Sequence, residues 1–423
     1  MSSNIQKYFQ AVNFLEAIVN LPIPDYLLKI NDRSFFIERL RYFLNLLDNP
    51  QKGFKYIHVT GTAGKGSTAN LIHEILNVSG YKVGSYFSPH PTTSIERIKV
   101  NDLYLGPWDF TKLIDQLKPA LQKCLLKSPY GHPSYFETFL GLAFLYFKQK
   151  NCEYVILESG LGGKHDATNI IKNPLLTIIT NINHDHQKIL GRSLKTIASD
   201  KAGIIKKGSI FITAESRPSV LKILKNKCDK VGAKFHSLKI ADNEKNISLV
   251  KKVGEILKIN PQKINQGIAQ AKLPCRFEII QKKPLIILDG SHNPAKLKYL
   301  KRKMADLKYC KLHLILGMAA DKNLKESLNQ IVPLADKLWL TRFLMPYRKT
   351  ADLKKLHYFS QKINKTLPIV INTDPCQTLK HCLKYLKKDD CLLITGSFFL
   401  TGELRKKWIS EEYILKNRKS FKT

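Results

Sequence analysis

Short apolar segments alternate with longer stretches of helical periodicity through most of the chain. The segments KYIHVT, YVIL and LLTIIT are rich in β-branched residues, and each is followed by a turn with glycine or polar residues. Strands that alternate with helices are typical of parallel α/β units. The pattern therefore predicts an α/β fold built on parallel sheets.

The predicted strands fall into two series. The first contains residues 56–60, 154–157, 176–180 and 210–213, and the second contains residues 285–288, 312–316, 337–340, 368–371 and 392–395. Between the series lies the segment AKLPC, where a proline follows a predicted helix and favours its end. We therefore predict two domains, residues 1–271 and 276–423, joined by a linker at residues 272–275. Within the first domain, a helical portion over residues 5–50 precedes the first strand.

The chain is strongly basic. Its 69 lysine and arginine residues, against 34 aspartate and glutamate residues, give a formal net charge of +35. Such a charge attracts polyanions, including nucleotides, polyglutamate tails and nucleic acids. The lysines are dispersed and no RRM, KH or zinc-finger pattern accompanies them, so we expect no specific nucleic-acid partner. A basic nucleic-acid-binding protein remains an alternative.

The sequence contains no pattern for export or for a membrane. Its apolar runs are far shorter than the roughly 18 residues that span a bilayer, and its first residues, MSSNIQKYFQ, lack the features of a secretory signal. Its eight cysteines are scattered without a CxxC pair or zinc-ligand spacing, which is typical of reduced thiols. We expect a soluble, cytoplasmic protein with no membrane partner.

The segment GTAGKGS, residues 61–67, has the composition and position of a phosphate-binding loop. It follows a predicted strand and opens a predicted helix, so its N–H groups and the positive end of the helix dipole can meet phosphate oxygens. The side chain of Lys65 can reach the outer phosphates. We expect ATP to contact six residues of this loop: Gly61, Thr62, Gly64, Lys65, Gly66 and Ser67.

A carboxylate is expected near this loop. Glu158 ends the predicted strand YVIL and precedes SGLGG, so its side chain should emerge at the carboxyl edge of the sheet, where α/β folds bind ligands. Carboxylate oxygens are ligands that Mg²⁺ prefers. Glu158 is therefore a predicted ligand of a nucleotide magnesium ion.

Longer motifs carry a family resemblance. HVTGTAGKGS, LESGLGGKHDATN, SDKAGIIK and LDGSHNP resemble motifs of the folylpolyglutamate synthase and dihydrofolate synthase family, in the Mur ligase superfamily. The resemblance covers about residues 20–405, with Ala63 and Cys275 in place of an asparagine and a glycine of the family. It implies a P-loop ATPase domain with a parallel sheet, then a smaller Rossmann-like α/β domain, and a monomer.

The resemblance also implies roles for particular residues. The catalytic residues would be Lys65, His186 and Lys201, with Lys201 carbamylated. The ligands of magnesium, with two ions in the site, would be Ser88, Glu158 and His186. The second domain would contact ATP through Arg276, Asp289 and His292. The pterin or folate would be contacted by Pro89, His90, Arg97, Asp166, Thr168 and Asn169.

The activity implied by the resemblance is an ATP-dependent ligase of folate biosynthesis and one-carbon metabolism. The γ-phosphoryl group of ATP would pass to a substrate carboxylate, and the amino group of L-glutamate would attack the resulting acyl phosphate. The acid would be dihydropteroate, the γ-carboxyl of a folate, or both. A Mur-type ligase for another acid and amino acid stays open, since residues 91–95 differ from the usual loop of the family. A P-loop ATPase or kinase is a further alternative.

Overall fold

The computed structural model of the chain describes residues 3–19, 34–184, 186–240, 245–345 and 348–422. The described residues form two compact units. The first unit lies within residues 1–89, 94–272 and 415–419, and the second lies within residues 90–93, 273–414 and 420–423. Each unit contains a mainly parallel sheet with helices, so the predicted fold class is confirmed.

The elements of the first unit alternate along the chain. Its helices are α1 (Ser3–Val19), α2 (Ser34–Asn45), α3 (Lys65–Val78), α4 (Pro107–Lys127), α5 (Tyr135–Gln149), α6 (Gln187–Leu190), α7 (Leu194–Lys201), α8 (Pro218–Val231), α9 (Lys245–Ile256) and α10 (Pro261–Gln270). Its strands are β1 (Lys55–Thr60), β2 (Val83–Tyr86), β3 (Ile98–Val100), β4 (Leu103–Tyr104), β5 (Tyr154–Glu158), β6 (Leu176–Ile179), β7 (Ile210–Thr213) and β8 (Lys234–Ser237). Short 3₁₀ helices occupy Ser94–Arg97, Ala167–Ile170 and Ala202–Ile204.

These strands form one sheet in the order β4-β3-β2-β5-β1-β6-β7-β8. The strands from β2 to β8 in this order are parallel, and β3 and β4 extend the sheet in antiparallel fashion. At the centre, β1 and β5 pair in register as far as Val59 and Glu158. The segments that follow these two strands therefore leave the sheet side by side.

Alternate residues of β1 face opposite sides of the sheet. Ile57 and Val59 are fully buried in an apolar cluster with residues of α3 and α9. His58 and Thr60 face the other way and form hydrogen bonds with residues of the segment 159–168. One strand thus supports the helix after the phosphate loop on one face and the segment after β5 on the other.

The second unit has a sheet in the order β13-β12-β11-β14-β10-β9, in which β9 is antiparallel to β10 and the other pairs are parallel. Its strands are β9 (Glu278–Lys282), β10 (Leu285–Leu288), β11 (Leu312–Leu316), β12 (Lys337–Leu340), β13 (Ile369–Ile371) and β14 (Cys391–Thr395). Its helices are α11 (Pro294–Ala305), α12 (Leu324–Ile331), the 3₁₀ helix Val332–Leu334, α13 (Leu353–Ile363), α14 (Pro375–Tyr385), α15 (Phe398–Arg405) and α16 (Glu411–Asn417), whose end belongs to the first unit. Apolar clusters cover both faces of this sheet.

All nine predicted strands are present, to within one residue at each end. The sequence analysis missed β2, β3, β4, β8 and β9. These strands are short or lie at an edge of a sheet, and none contains a continuous apolar run; every residue of β8, for example, is at least partly exposed. The predicted N-terminal helical portion is helical at Ser3–Val19 and Ser34–Asn45, and its residues 20–33 lie outside the described residues.

Two short segments belong to a different unit from the residues immediately before them in the chain. Residues 90–93 are part of the second unit, and residues 415–419 are part of the first. In the first unit, Arg418 and Tyr104 exchange hydrogen bonds, with Tyr104 N donating to Arg418 O at 2.9 Å and Arg418 Nε donating to Tyr104 O at 2.8 Å. Among the residues described, no helix has both the length and the apolar character to cross a membrane.

Candidate functional site

The loop between β1 and α3 has the geometry of a phosphate-binding loop. Gly61 and Gly64 have φ angles of 152° and 80°, and a Cβ atom at Gly61 would lie 1.9 Å from the hydroxyl oxygen of Thr180. Asn181 holds the loop, because its backbone and side-chain oxygens accept from two loop N–H groups at 3.0 and 2.9 Å. Backbone conformation and close packing therefore both require glycine at Gly61.

Two lysines converge on one carbonyl of this loop. Lys65 Nζ donates to Gly61 O at 3.0 Å, and Lys201 Nζ donates to the same oxygen at 3.1 Å. Lys201 is only 3% exposed. A Cβ atom at Gly163 would lie 2.8 Å from Lys201 Cα, so the glycine lets the end of α7 approach the segment after β5. The two predicted catalytic lysines thus lie beside the phosphate loop.

Glu158 lies where the sequence analysis expects a carboxylate. Its side chain is buried, and both of its oxygens are 3.2 Å from the position of a Cβ atom on Gly66. Its Oε2 atom also accepts a hydrogen bond from Ser88 N at 3.2 Å. The structure therefore brings Glu158, Ser88 and the first turn of α3 together within the first unit.

His186 precedes α6 and has a left-handed backbone, with φ of 49°. Its carbonyl accepts from Ile189 N and Leu190 N at 2.8 and 2.9 Å, so its backbone begins that short helix. In the described part of the chain, no group of three or more His, Cys, Asp or Glu side chains could hold a metal ion. A metal at Glu158 would therefore need ligands such as hydroxyl groups, phosphate oxygens and water, which suits Mg²⁺.

Asp166 lies at the end of a buried network of polar groups. Its Oδ2 atom accepts from Leu161 N at 2.7 Å, and its Oδ1 atom accepts from Thr168 N at 3.0 Å and from the hydroxyl of Thr168. The same hydroxyl lies 2.8 Å from His58 Nε2, which is 3.0 Å from Ser159 Oγ. Burial raises the pKa of Asp166, and the hydrogen bonds from Leu161 and Thr168 oppose that rise.

An aromatic ring lies beside Asp166, and further aromatic side chains adjoin that ring. A Cβ atom at Gly160 would lie 3.0 Å from ring carbons of Phe136 and 3.4 Å from Asp166 Oδ2, so the ring and the carboxylate flank the same glycine. The rings of Phe136 and Tyr86 meet edge to face with centroids 5.5 Å apart. Beside them, the buried guanidinium of Arg97 lies 5.4 Å from the centroid of the Tyr135 ring. We call the rings of Tyr86, Tyr135 and Phe136 the aromatic cradle, and its chemistry suits a flat, partly polar ring.

The other predicted pterin contacts differ from one another in their hydrogen bonds and in the unit to which they belong. The Nδ2 atom of Asn169 donates to Lys164 O at 2.9 Å and to Gly203 O at 3.3 Å, so this side chain joins two segments of the backbone. Pro89 belongs to the first unit, whereas His90 belongs to the second. Of the six predicted residues, the structure places Arg97, Asp166 and Thr168 near the aromatic cradle.

Two residues near these sites were missed by the sequence analysis. Phe136 follows Ser134, whose capping box with Glu137 begins α5; the box is readable in the sequence, but the position of the ring is not. Asn246 lies in the first turn of α9, and its side-chain oxygen would lie 2.6 Å from a Cβ atom on Gly64. Asn246 is thus a further candidate for contact with a nucleotide, and nothing in its local sequence indicates this.

In the second unit, Asp289 follows β10, and its carboxylate accepts hydrogen bonds that order the backbone. Its Oδ1 atom accepts from Ser291 N and its Oδ2 atom accepts from Phe277 N, both at 2.8 Å. The segment before β9 and the segment after β10 are therefore held together. This arrangement places two of the predicted nucleotide contacts of the second unit, Arg276 and Asp289, on joined segments.

His292 and Arg276 are both partly exposed residues of the second unit. His292 Nδ1 lies 2.9 Å from Gly290 O, and its Nε2 atom lies 3.3 Å from Lys296 Nζ. The guanidinium of Arg276 lies 4.5 Å from the centroid of the Phe398 ring. The stacking on Phe398 orients the planar donor groups of Arg276, which suit phosphate oxygens.

Comparison with known proteins shows which class this fold and site belong to. Residues 121–280 match the Mur ligase middle domain, and residues 275–398 match the glutamate ligase domain of Mur ligases. The dihydrofolate synthase/folylpolyglutamate synthase of Bacillus subtilis is 30% identical over 411 residues, which cover 87% of this chain and 94% of that protein.

Solved structures agree with this similarity. The folylpolyglutamate synthase of Mycobacterium tuberculosis complexed with ADP has a TM-score of 0.87 at 21% identity, covering 96% of this chain and 99% of that chain. Escherichia coli FolC in complex with DHPP and ADP has a TM-score of 0.79 at 26% identity, covering 94% and 97%. The bifunctional enzyme of Yersinia pestis complexed with AMPPNP and a manganese ion has a TM-score of 0.80 at 24% identity, covering 95% and 97%.

The chain is therefore an ATP-dependent ligase of the Mur type. Within that class it belongs to the folylpolyglutamate synthase/dihydrofolate synthase family. The family resemblance noted in the sequence motifs is confirmed.

Proposed function

We propose that this enzyme joins the amino group of L-glutamate to the carboxylate of dihydropteroate, to the γ-carboxyl of a (tetrahydro)folate, or to both. One observation carries the proposal. The segment 158–166 begins with Glu158 beside the phosphate loop and ends with Asp166 beside Phe136. ATP and a flat-ringed acceptor would therefore bind at the two ends of one segment. The relative from Bacillus subtilis is named dihydrofolate synthase/folylpolyglutamate synthase, and that name supports these substrates.

The reaction would proceed through an acyl phosphate. Lys65 and the N–H groups at the start of α3 bind the outer phosphates of ATP. The acceptor carboxylate attacks the γ-phosphorus, and the bond to ADP breaks. The nitrogen of glutamate then attacks the acyl carbon, phosphate leaves, and the nitrogen loses a proton as the amide forms. Positioning and electrostatic stabilisation supply most of the catalysis of phosphoryl transfer.

The proposed ligands of magnesium are Ser88, Glu158 and His186, with two ions in the site. The residues fit a hard cation because Glu158 is a buried carboxylate beside both Ser88 and the first turn of α3. Magnesium, when bound, neutralises charge on the transferred phosphoryl group. The hydrogen bond from Ser88 N orients Glu158 for this purpose.

Lys201 is proposed to be carbamylated in the working enzyme. As an unmodified lysine it is buried and donates to Gly61 O at 3.1 Å. Carbamylation would replace this cation by an oxygen anion close to the phosphate loop, where a second magnesium ion would need a ligand. The same position supports its assignment with Lys65 and His186 as a catalytic residue.

The acceptor is proposed to bind at the aromatic cradle. Asp166 would accept hydrogen bonds from N–H groups of the pterin, and Phe136 would contact the ring. Arg97, Pro89 and His90 are proposed to complete this site. The contacts of Thr168 and Asn169 favour an indirect part for both, since Thr168 holds Asp166 and Asn169 joins two backbone segments.

The two domains are proposed to divide the work. Residues 1–271 would bind ATP and the acceptor, and residues 276–423 would supply Arg276, Asp289 and His292 to the nucleotide, with 272–275 as the linker. We propose a cytoplasmic monomer whose partners are small molecules, without specific nucleic-acid or membrane partners. The eight free cysteines, including the exposed Cys310 and Cys376, support a reducing compartment.

The test is ADP release by the purified protein with Mg²⁺, ATP and L-glutamate, run separately with dihydropteroate and with tetrahydrofolate. Lys65→Ala serves as the blank, because it removes the ammonium that binds the outer phosphates. Turnover that needs both glutamate and one of the acceptors would support the proposal and identify the acceptor. ATP binding without acceptor-dependent turnover would contradict it and favour another acid and amine. ATP hydrolysis that needs neither glutamate nor an acceptor would favour a simple P-loop ATPase.

A further inference from the structure

A surface cavity of about 600 Å³ in the first unit is lined by four lysines. It lies between the segment that follows α7 and the end of α8, and its cationic residues are Lys206, Lys207, Lys227 and Lys230. The remaining lining residues are glycine, isoleucine and valine, so none of the lining residues is acidic. The motif that resembles the family extends to Lys206, but the proposed reaction uses none of these lysines.

The backbone fixes where these lysines stand. The carbonyl of Lys206 accepts from Ser209 N at 3.2 Å and from Ser209 Oγ at 2.8 Å, which closes a tight turn. Lys227 and Lys230 are three residues apart in α8, so they lie on the same side of the helix. The lysines therefore converge from two ordered segments of the chain.

The positive charge in this cavity lacks a protein counter-charge. Among the described residues, none of the four lysines forms an ion pair with an aspartate or glutamate. Carbonyls near the end of α8 are already bonded, since Asp229 O accepts from Gly232 N and Cys228 O accepts from Ala233 N. The C-terminal end of α8 offers only the partial negative charge of the helix dipole, about half an elementary charge, against the full charges of Lys227 and Lys230.

Lys206 shows the effect of this uncompensated charge most clearly. It is partly buried, and burial together with the charge of Lys227 lowers its pKa. Its own charge reaches the interior, because burial and the charge of Lys206 lower the pKa of His58 in β1 to about 3. A bound anion would relieve the repulsion between Lys206 and Lys227.

We propose that the four-lysine cavity binds a multiply charged oxyanion. The ligand carries several closely spaced oxygen anions, which are either the phosphates of a polyphosphate or the carboxylates of an oligo-γ-glutamate chain. Charge-assisted hydrogen bonds from ammonium groups suit both kinds of oxygen. This site goes beyond the proposed ligase reaction, and its occupancy requires no turnover.

The test measures anion binding by calorimetry on the full chain. Saturating ADP fills the phosphate loop, the ionic strength is held constant, and the titrants are tripolyphosphate in one arm and tri-γ-glutamate in the other. The test variant is Lys206→Met/Lys227→Met. The matched control is Lys222→Met/Lys225→Met, which removes the same charge from exposed positions of α8 that do not line the cavity.

We expect at least one anion to bind the wild type, and the arm that binds more tightly identifies the source of the ligand. The dissociation constant should rise roughly tenfold or more in the test variant and about twofold or less in the control. Equal weakening in both variants would mean attraction by net charge alone and would overturn the proposal. Failure of both anions to bind would also overturn it.

A second readout needs no ligand and guards against loss of folding. Without added anion, Lys227→Met should raise the midpoint of thermal unfolding because it removes repulsion from Lys206, whereas Lys225→Met should leave it nearly unchanged. A lower midpoint in Lys227→Met than in Lys225→Met would show that the charge is compensated in some other way. That result would also contradict the proposal.

Discussion

His58 donates a hydrogen bond through Nε2 to the hydroxyl oxygen of Thr168, 2.8 Å away. The direction follows from counting protons. When Asp166 is ionised, the hydroxyl of Thr168 donates its one proton to Asp166 Oδ1 and therefore accepts from His58. His58 is neutral because burial and Lys206 lower its pKa to about 3. The neutral imidazole with its proton on Nε2 therefore orients Thr168 toward Asp166.

His58→Leu should weaken acceptor binding while leaving the chemical step almost intact. Without the Nε2 proton, the hydroxyl of Thr168 can rotate away from Asp166, and the carboxylate loses its fixed position. We expect the KM for the pterin acceptor to rise roughly tenfold, with kcat changed by about threefold or less. Steady-state kinetics with saturating ATP and glutamate measures both constants.

The control for this variant is His73→Leu. His73 is also fully buried, but its ring contacts Ser85 Oγ and Asn101 O and has no part in the network of Asp166. It should lose stability without a change in the KM for the acceptor. His58→Gln, which can return an N–H group near the position of Nε2, should recover most of the affinity. Equal KM values in the two leucine variants would show that His58 acts only on stability.

Thr168→Val should shift the pH dependence of the reaction. Asp166 must be ionised for both of its oxygens to act only as acceptors, and the hydroxyl of Thr168 is one of the groups that lower its pKa. Removal of that hydroxyl raises the pKa further, so activity on the acid side should be lost at a higher pH. We expect the acid limb of kcat/KM for the acceptor to move to higher pH.

Thr177→Val is the control for the pH profile. Thr177 is a buried residue of β6 whose hydroxyl has no hydrogen-bond partner among the described residues. This exchange removes the same atoms without touching Asp166, so its acid limb should coincide with that of the wild type. A shift toward lower pH in Thr168→Val would contradict the assignment of the limb to Asp166.

Glu158→Gln should abolish most of the turnover without unfolding the protein. The amide keeps the size of the side chain, but it loses the negative charge that a magnesium ion needs beside the first turn of α3. We expect kcat to fall about a hundredfold or more, with an unfolding midpoint close to that of the wild type. Glu153→Gln, which changes an exposed carboxylate paired with Lys55, should keep its activity. Comparable activity in both variants would remove Glu158 from the metal site.

Arg405→Met should strongly destabilise the second unit. Arg405 and Glu278 form two hydrogen bonds of 2.8 Å, and their side chains are 0% and 5% exposed. The substitution leaves the carboxylate of Glu278 buried without its main partner, which costs about 3–5 kcal/mol. Urea unfolding gives the free energy. Lys406→Met breaks the more exposed 3.4 Å pair with Glu411 and should cost about 1 kcal/mol or less. Similar losses in both variants would contradict the expectation.

The parts of the site that the sequence predicts are those that depend on local order. A strand, a glycine-rich turn and a helix follow one another around Lys65, so the phosphate loop can be inferred without knowledge of any distant contact. Glu158 is predictable for the same reason, since the end of a parallel strand faces the ligand edge of the sheet. Both features lie in the structure where these patterns indicate.

Contacts between distant segments could not be predicted. Lys201 and Gly61 are 140 positions apart, and their hydrogen bond depends on how α7 packs against the sheet. Phe136 and Asp166 likewise come from separate elements, which both approach Gly160. Short strands such as β8 escaped prediction because they contain no continuous apolar run to bury. In each case the deciding information is tertiary packing, which no local window contains.

The exchange of short segments between the units decides how the chain can be divided. A gene cut at the junction of Lys272 and Leu273 would not yield two complete folding pieces. The N-terminal product would lack residues 415–419, and the C-terminal product would lack residues 90–93. Independent production of either half would therefore require a graft of the missing segment, and a truncation of the last nine residues would damage the N-terminal half of the protein.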